Sequence, residues 1–486
     1  MTAYTGFDTM PIAGTWRAGS YGEVSDDVNP YSDETLTSLP LANADDVDDA
    51  FRAAAHAQRD WAATLPTERA EVFFRAAQVM DARKDEIVDW LIREAGGIRP
   101  RAEWEWLAVR AVMLEAASYP TRSAGRILPA ALIDGKENRV YRQPLGVVTV
   151  ISPWNFPMQL SNRSVAPALA LGNAVVLKPA SDTPVTGGLL LAKILEEAGL
   201  PSGVLSVVVG KSSEIGDAVA QHPTTRLVSF TGSTPVGKGI AESAPLTKMS
   251  LELGGNGPLL VLGDADLEAA VDAAIFGSFF HQGQVCMATN RIIAVDSVHD
   301  EVVDRLTDRV RALTVGDPSD PSTQIGPIIN DSQVDSILDK ISRAEADGAE
   351  VRVRGARSGP AQRVLGPHLV LGTNEVATAA EEVFGPVATV IRARDEEDAV
   401  ALANDTEYGL SSAVFTRDVD RGVRVAARID AGMTHVNDTT INDEPNTAFG
   451  GEKNSGIGRF GGDWAIDEFT TDHWIGVQHS RRQYAI

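Results

Sequence analysis

Short apolar runs alternate with amphipathic stretches between Gly146 and Asp264, which predicts strands alternating with helices. Val147-Val148-Thr149-Val150-Ile151 is a β-branched run of strand length. From Ser161 to Leu171 the period is helical, and Ala174-Val175-Val176-Leu177 returns to strand. Thr183-Pro184 then offers a capping hydroxyl and a proline suited to a first helical turn. Leu189, Leu190, Ile194 and Leu195 form the apolar face of that helix, and Gly199 closes it. Two further strands are expected, from Leu205 to Val209 and from Leu227 to Phe230. This cadence belongs to a doubly wound, parallel α/β sheet.

A second α/β region follows from about Gly257, with helices from Ala269 to Phe280 and from Val302 to Leu313 and strands around Ile292 and Val387. The segment from Ile127 to Val140 reads as a hairpin turning at Asp134-Gly135. A last strand, from Trp474 to Val477, is expected to pair with it. A hairpin projecting from a globular body usually meets a partner, so a homodimer or homotetramer is expected. The expected division is 1–123 with 144–253, then 254–470, with 124–143 and 471–486 as a small β extension.

At 486 residues the chain exceeds what one core usually serves. Its net charge of −24 disfavours nucleic acid and anionic membranes as partners. No apolar run reaches membrane-spanning length, and no signal pattern is visible at the start, so a cytoplasmic location is expected. An anionic ligand must then be held by local donors working against the global field, such as helix N-termini or a placed lysine.

Cys286 is the one cysteine, in Gln282-Gly283-Gln284-Val285-Cys286-Met287-Ala288. It has no partner for an internal disulfide, so any chemistry it has is that of a thiolate nucleophile. Alone, it is more simply a small buried hydrophobe. Other segments change that balance. Trp154-Asn155-Phe156-Pro157 follows a strand end, where the Asn155 amide can face a developing oxyanion. Lys178 ends the next strand within reach of ribose or phosphate. Phe230-Thr231-Gly232-Ser233-Thr234-Pro235-Val236-Gly237-Lys238-Gly239 runs from a strand into a helix N-terminus, a place for a pyrophosphate. The string approaches a nucleotide-triphosphate loop, but Gly239 stands where the magnesium-binding hydroxyl is required. Glu252, between two leucines and followed by Gly254-Gly255, should have a raised pKa suited to a general base. Glu382, in a compact strand-end motif with Phe384, can accept from ribose hydroxyls.

Together these segments resemble the aldehyde dehydrogenase superfamily, in order and over nearly the whole chain. The resemblance implies a Rossmann-like cofactor domain, a second catalytic α/β domain and a β oligomerisation extension. It implies NAD- or NADP-dependent oxidation of an aldehyde to the acid, without a metal. Cys286 matches the nucleophile, Glu252 the general base and Asn155 the oxyanion donor. Ser152, Pro153, Trp154, Lys178, Ala180, Ser181, Gly210, Phe230, Thr231, Gly232, Ser233, Val236, Gly237, Leu253, Glu382 and Phe384 match cofactor contacts. In strongly NAD-selective members an acidic residue commonly occupies the position of Ser181. A neutral serine there implies that NADP is accepted, with Lys178 available to its phosphate. The segment from Asn437 to Pro445 and Phe156-Pro157-Met158-Gln159-Leu160-Ser161 look like the benzaldehyde and vanillin branch. That implies an aromatic substrate, with Leu160, Asn162, Arg163, Val285, Met287 and Ile441 as its pocket. Aliphatic or semialdehyde substrates are the alternative.

Overall fold

The computed structural model describes residues 2–244 and 246–484. Its first sheet has six strands, in spatial order Gly456–Ile457, Lys248–Glu252, Thr225–Thr231, Val147–Ile151, Ala174–Lys178 and Leu205–Val207. All pairings are parallel except that of the edge strand Gly456–Ile457. Val147–Ile151 and Thr225–Thr231 are neighbours although two strands intervene in sequence, so the winding reverses between them. A crevice opens outside the carboxyl ends of strands at such a switch point. The chain leaves those ends as Ser152-Pro153-Trp154-Asn155 and Gly232-Ser233.

The second sheet has seven strands, in order Glu350–Val353, His368–Gly372, Val387–Ala393, Thr289–Val295, Gly257–Val261, Ser411–Phe415 and Met433–Val436. Only Glu350–Val353 runs antiparallel to its neighbour. Cys286 lies just before Thr289–Val295, and Glu382 and Phe384 just before Val387–Ala393. These residues therefore precede strands of the second sheet, whereas Glu382 was expected at a strand's end.

The hairpin forms as expected: Arg126–Pro129 pairs with Lys136–Pro144, which also pairs along its length with Thr470–Gln478. The expected C-terminal extension includes residues 485–486, which lie outside the described residues. The expected boundary at 470 differs from the packing. Phe449, Phe460, Ala465, Ile466 and Phe469 join the core of the first sheet, and Gly456–Ile457 supplies its edge. The chain thus returns to the first body before reaching the extension.

Two helix starts also differ from expectation. The helix expected from Ser161 begins at Pro157, with the proline in its first turn (Pro157–Ala170). Thr183 was expected to cap the following helix, but its hydroxyl is buried without a partner. The fully buried Glu94 carboxylate takes that role, accepting from Val185 N–H and Thr186 N–H, each at 2.7 Å. A long-range acid replaces a local hydroxyl, which spacing along the chain cannot reveal.

Candidate active site

Two cavities meet at Cys286, Asn155 and Leu160. The larger, about 290 Å³, is lined by Pro153, Trp154, Thr231, Gly232, Ser233 and Leu253 from the first sheet's side and by Glu382 and Phe384 from the second. The smaller is closed by Trp104, Phe156, Gln159, Arg163, Val285, Met287, Ile441 and Asp443. Only a group lodged between them can touch both, and the half-buried thiol stands at that passage.

The loop that presents Cys286 is strained. His281, Gln282 and Gly283 have φ of 49°, 56° and 70°, a left-handed stretch costing roughly 1–3 kcal/mol per non-glycine residue. Long-range hydrogen bonds hold it. Gln282 Nε2 donates to the carbonyls of Gly96 (3.1 Å) and Pro327 (2.9 Å). Gln284 Oε1 accepts from Ile329 N–H at 3.1 Å. A Cβ on Gly283 would stand 2.1 Å from the Gly385 carbonyl oxygen, and one on Gly255 2.1 Å from that of Cys286. Of the two glycines that follow Leu253, Gly254 lines the larger cleft and Gly255 makes room for the Cys286 loop.

Asn155 is buried, and its Nδ2 donates to the Gln284 carbonyl at 2.9 Å. That bond uses one amide hydrogen and orients the other. Burial and the nearby Glu252 charge push the Cys286 thiol up to about 12. The resting group is therefore a thiol, and the nucleophilic thiolate forms only as the proton is taken from it. Glu252 is raised to about 8 by burial, opposed by the charges of Arg163 and Arg459. Both of its oxygens are buried without a hydrogen-bond partner.

The larger cleft suits an extended anionic cofactor. The helix Thr234–Ser243 starts beside it with Pro235 in its first turn, and the Ser233 side chain leaves that turn uncapped. Glu382 is raised to about 7 by burial, and its Oε1 accepts from Gly255 N–H at 3.0 Å. Trp154 and Phe384 meet edge to face at 5.4 Å. Gln333, Ser336 and Lys340, from the helix Asp331–Ala346, also line the cleft. They carry no motif and were missed.

The other expected cofactor residues lie outside this inner cleft. Ser152 is buried, its hydroxyl 2.6 Å from that of Ser161. Lys178 is buried, lowered to about 8 by burial, and donates to Ser212 Oγ at 3.1 Å. Ala180 is half-buried and Ser181 exposed, while Gly210 is packed beneath Ile215. Phe230 is core beneath the Gly232 turn, Gly237 packs against Leu253, and Val236 points outward at 53% exposure. Lys178, Ala180, Ser181 and Gly210 follow carboxyl ends of the first sheet, along which a dinucleotide would extend.

Of the expected substrate residues, Leu160, Arg163, Val285, Met287 and Ile441 line the smaller cavity. Asn162 does not: its Nδ2 donates to the Val109 carbonyl at 3.2 Å, on the helix Arg99–Ala116. Arg163 pairs with Asp443 and lies 3.8 Å over the Phe449 ring. Trp104, Phe156 and Gln159 were missed. Phe156, Gln159 and Asp443 stand inside the segments already singled out, whereas nothing local marks Trp104.

A sequence model of the Aldehyde dehydrogenase family matches residues 16–475. A vanillin dehydrogenase of Corynebacterium glutamicum is 50% identical, over 99% of this chain and 100% of its own. A benzaldehyde dehydrogenase of Bacillus subtilis is 47% identical, over 100% of both. Among solved structures, an NAD-dependent benzaldehyde dehydrogenase from Corynebacterium glutamicum superposes with a TM-score of 0.89 at 47% identity, covering 97% of this chain and 98% of that one.

Proposed function

The chain belongs to the aldehyde dehydrogenase family, and from that premise we propose that it oxidises an aromatic aldehyde to its acid through Cys286, Asn155 and Glu252. The observation that carries this reading is the meeting of the two cavities at Cys286 and Asn155. A ring would enter among Trp104, Phe156, Leu160, Met287 and Ile441 as these side chains part, since the cavity they close is about 20 Å³, and would present its carbonyl at that junction. Arg163 Nη1 and Gln159 Oε1 are buried there without partners, which suits a ring bearing a hydroxyl group.

Cys286 Sγ bonds to the carbonyl carbon as its proton passes to water, and the oxygen becomes an oxyanion facing the free Asn155 amide hydrogen. A nicotinamide cofactor, which Trp154, Gly232, Ser233, Glu382 and Phe384 would hold in the larger cleft, would supply the hydride acceptor when bound. Cys286 then carries the acyl group as a thioester. Glu252 takes a proton from water, which attacks the thioester, breaking its C–S bond and returning the sulfur. Ser181 and Lys178 leave room for a 2′-phosphate, so NADP is used as well as NAD. A reducing cytosol suits a nucleophile that must stay a free thiol. Reduced-nicotinamide absorbance with benzaldehyde, 4-hydroxybenzaldehyde, vanillin and propanal, each with NAD and NADP, tests both points. The aromatic aldehydes are expected to exceed propanal in kcat/KM by about tenfold or more. Equal values would refute the aromatic reading, and no rate with NADP would refute the Ser181 argument.

The β extension suits self-association. Ile127, Leu128, Leu132, Trp474 and Ile475 are all exposed upon it, Leu132 at 95%, and the outer edge of Arg126–Pro129 is unpaired. Light scattering at micromolar protein should report a dimer or tetramer; a monomer would exclude this role.

A further inference from the structure

Arg101 and Glu105 form an ion pair at 2.6 Å with neither side chain exposed, on the helix Arg99–Ala116. Burying two charges costs several kcal/mol per ion, and apolar replacements of such pairs are often as stable. Stability alone is therefore a weak reason for this pair, and its remaining contacts point elsewhere. Glu105 Oε1 accepts from Met158 N–H at 2.9 Å and from Gln159 N–H at 3.0 Å. These donors belong to the first turn of Pro157–Ala170, whose preceding residue, Phe156, offers no side-chain cap. Arg101 Nη2 donates to the Asn155 carbonyl, and its guanidinium lies 4.4 Å over the Phe156 ring. One buried pair thus grips Asn155, Phe156, Met158 and Gln159.

We infer that Arg101 and Glu105 are positioning residues for the oxyanion site, fixing the Asn155 backbone so that its amide meets the substrate oxygen. The chain of contacts is continuous. Arg101 holds the Asn155 carbonyl, and the Asn155 side chain is tied to the Gln284 carbonyl, two residues before the thiol. Neither Arg101 nor Glu105 lines either cavity, so neither touches substrate. Their influence is on geometry, where a displacement of about 1 Å can cost roughly a hundredfold in rate. This inference rests on Asn155 being the oxyanion donor.

The test uses the full chain as four proteins: wild type, Arg101→Met with Glu105→Leu, Asn155→Ala, and all three changes together. Replacing both charges leaves no lone ion buried. With benzaldehyde and NAD, the burst of hydride transfer is expected to fall about tenfold or more in the paired variant, with KM nearly unchanged. Alkylation of Cys286 by iodoacetamide, which forms no oxyanion, should stay within about twofold of wild type. The triple variant should be no slower than Asn155→Ala alone, because the pair acts through that residue. A near-normal burst in the folded paired variant, or losses that multiply in the triple variant, would overturn the inference. If the paired variant does not fold, Arg101→Lys carries the same test: a slowed burst at unchanged KM supports the role, and a normal burst overturns it. If neither folds, the pair is scaffold and the inference fails. A normal rate in Asn155→Ala would instead remove the reading on which the inference rests.

Discussion

Glu252 has two buried, unpartnered oxygens, so its charged form is favoured only by the more distant Arg163 and Arg459. A base must be deprotonated to work, and burial places that change at about pH 8. Thioester hydrolysis is therefore expected to accelerate as pH rises from 6.5 to 9, and pre-steady-state traces can separate it from hydride transfer. Glu252→Gln keeps the shape and removes the base. Its burst should survive while turnover falls by roughly 10²–10⁴-fold, without the pH dependence. Normal turnover would mean that another group activates the water. Cys286 and Asn155, which meet where the two cavities join, were legible as a pair because each lies in a dense local motif, and burial explains why the thiol's resting state was not. Asn162 was misassigned because it adjoins Arg163 in sequence, whereas on a helix adjacent residues point about 100° apart.

Glu94 joins two elements that no local pattern connects. It ends the helix Lys84–Ala95 region and caps the chain at Val185 and Thr186, just after the strand end that carries Lys178 and Ser181. Glu94→Ala leaves two buried N–H groups without an acceptor, so a loss of about 1–3 kcal/mol is expected in urea unfolding. An unchanged midpoint would show that Thr183 can resume the capping role its sequence suggests. The strands and their winding were legible from alternation and glycine placement, since a parallel sheet buries continuous apolar runs. What escaped were contacts made across long loops. Gln333, Ser336 and Lys340 sit on an amphipathic helix whose wet face happens to border the cleft. Phe460 and Phe469 return to a core laid down far earlier in the chain.

The whole molecule carries a net charge of −24, with buried carboxyls that resist ionisation. Asp27 is pushed up to about 10 by burial and by the neighbouring Glu94, and Glu94 to about 7 by burial, against the hydrogen bonds of Thr186, Val185 and Asp27. Glu382 rises to about 7 and Glu252 to about 8, both by burial. Each raised carboxyl binds its proton more tightly folded than unfolded. The stability from these groups is full below the ordinary carboxylate range and is lost as pH rises through the folded values. Surface repulsion acts in the same direction, because more sites are negative at higher pH. Thermal unfolding should therefore move to lower temperature between pH 5.5 and pH 9. Salt acts oppositely on the surface component alone: 1 M NaCl shortens the screening length to roughly 3 Å and relieves repulsion between exposed carboxylates. Added salt should raise the melting temperature at pH 8, yet leave most of the decline between pH 6 and pH 9, which belongs to buried groups. If high salt abolished that decline, surface charge alone would govern the pH response and the buried carboxyls would titrate normally.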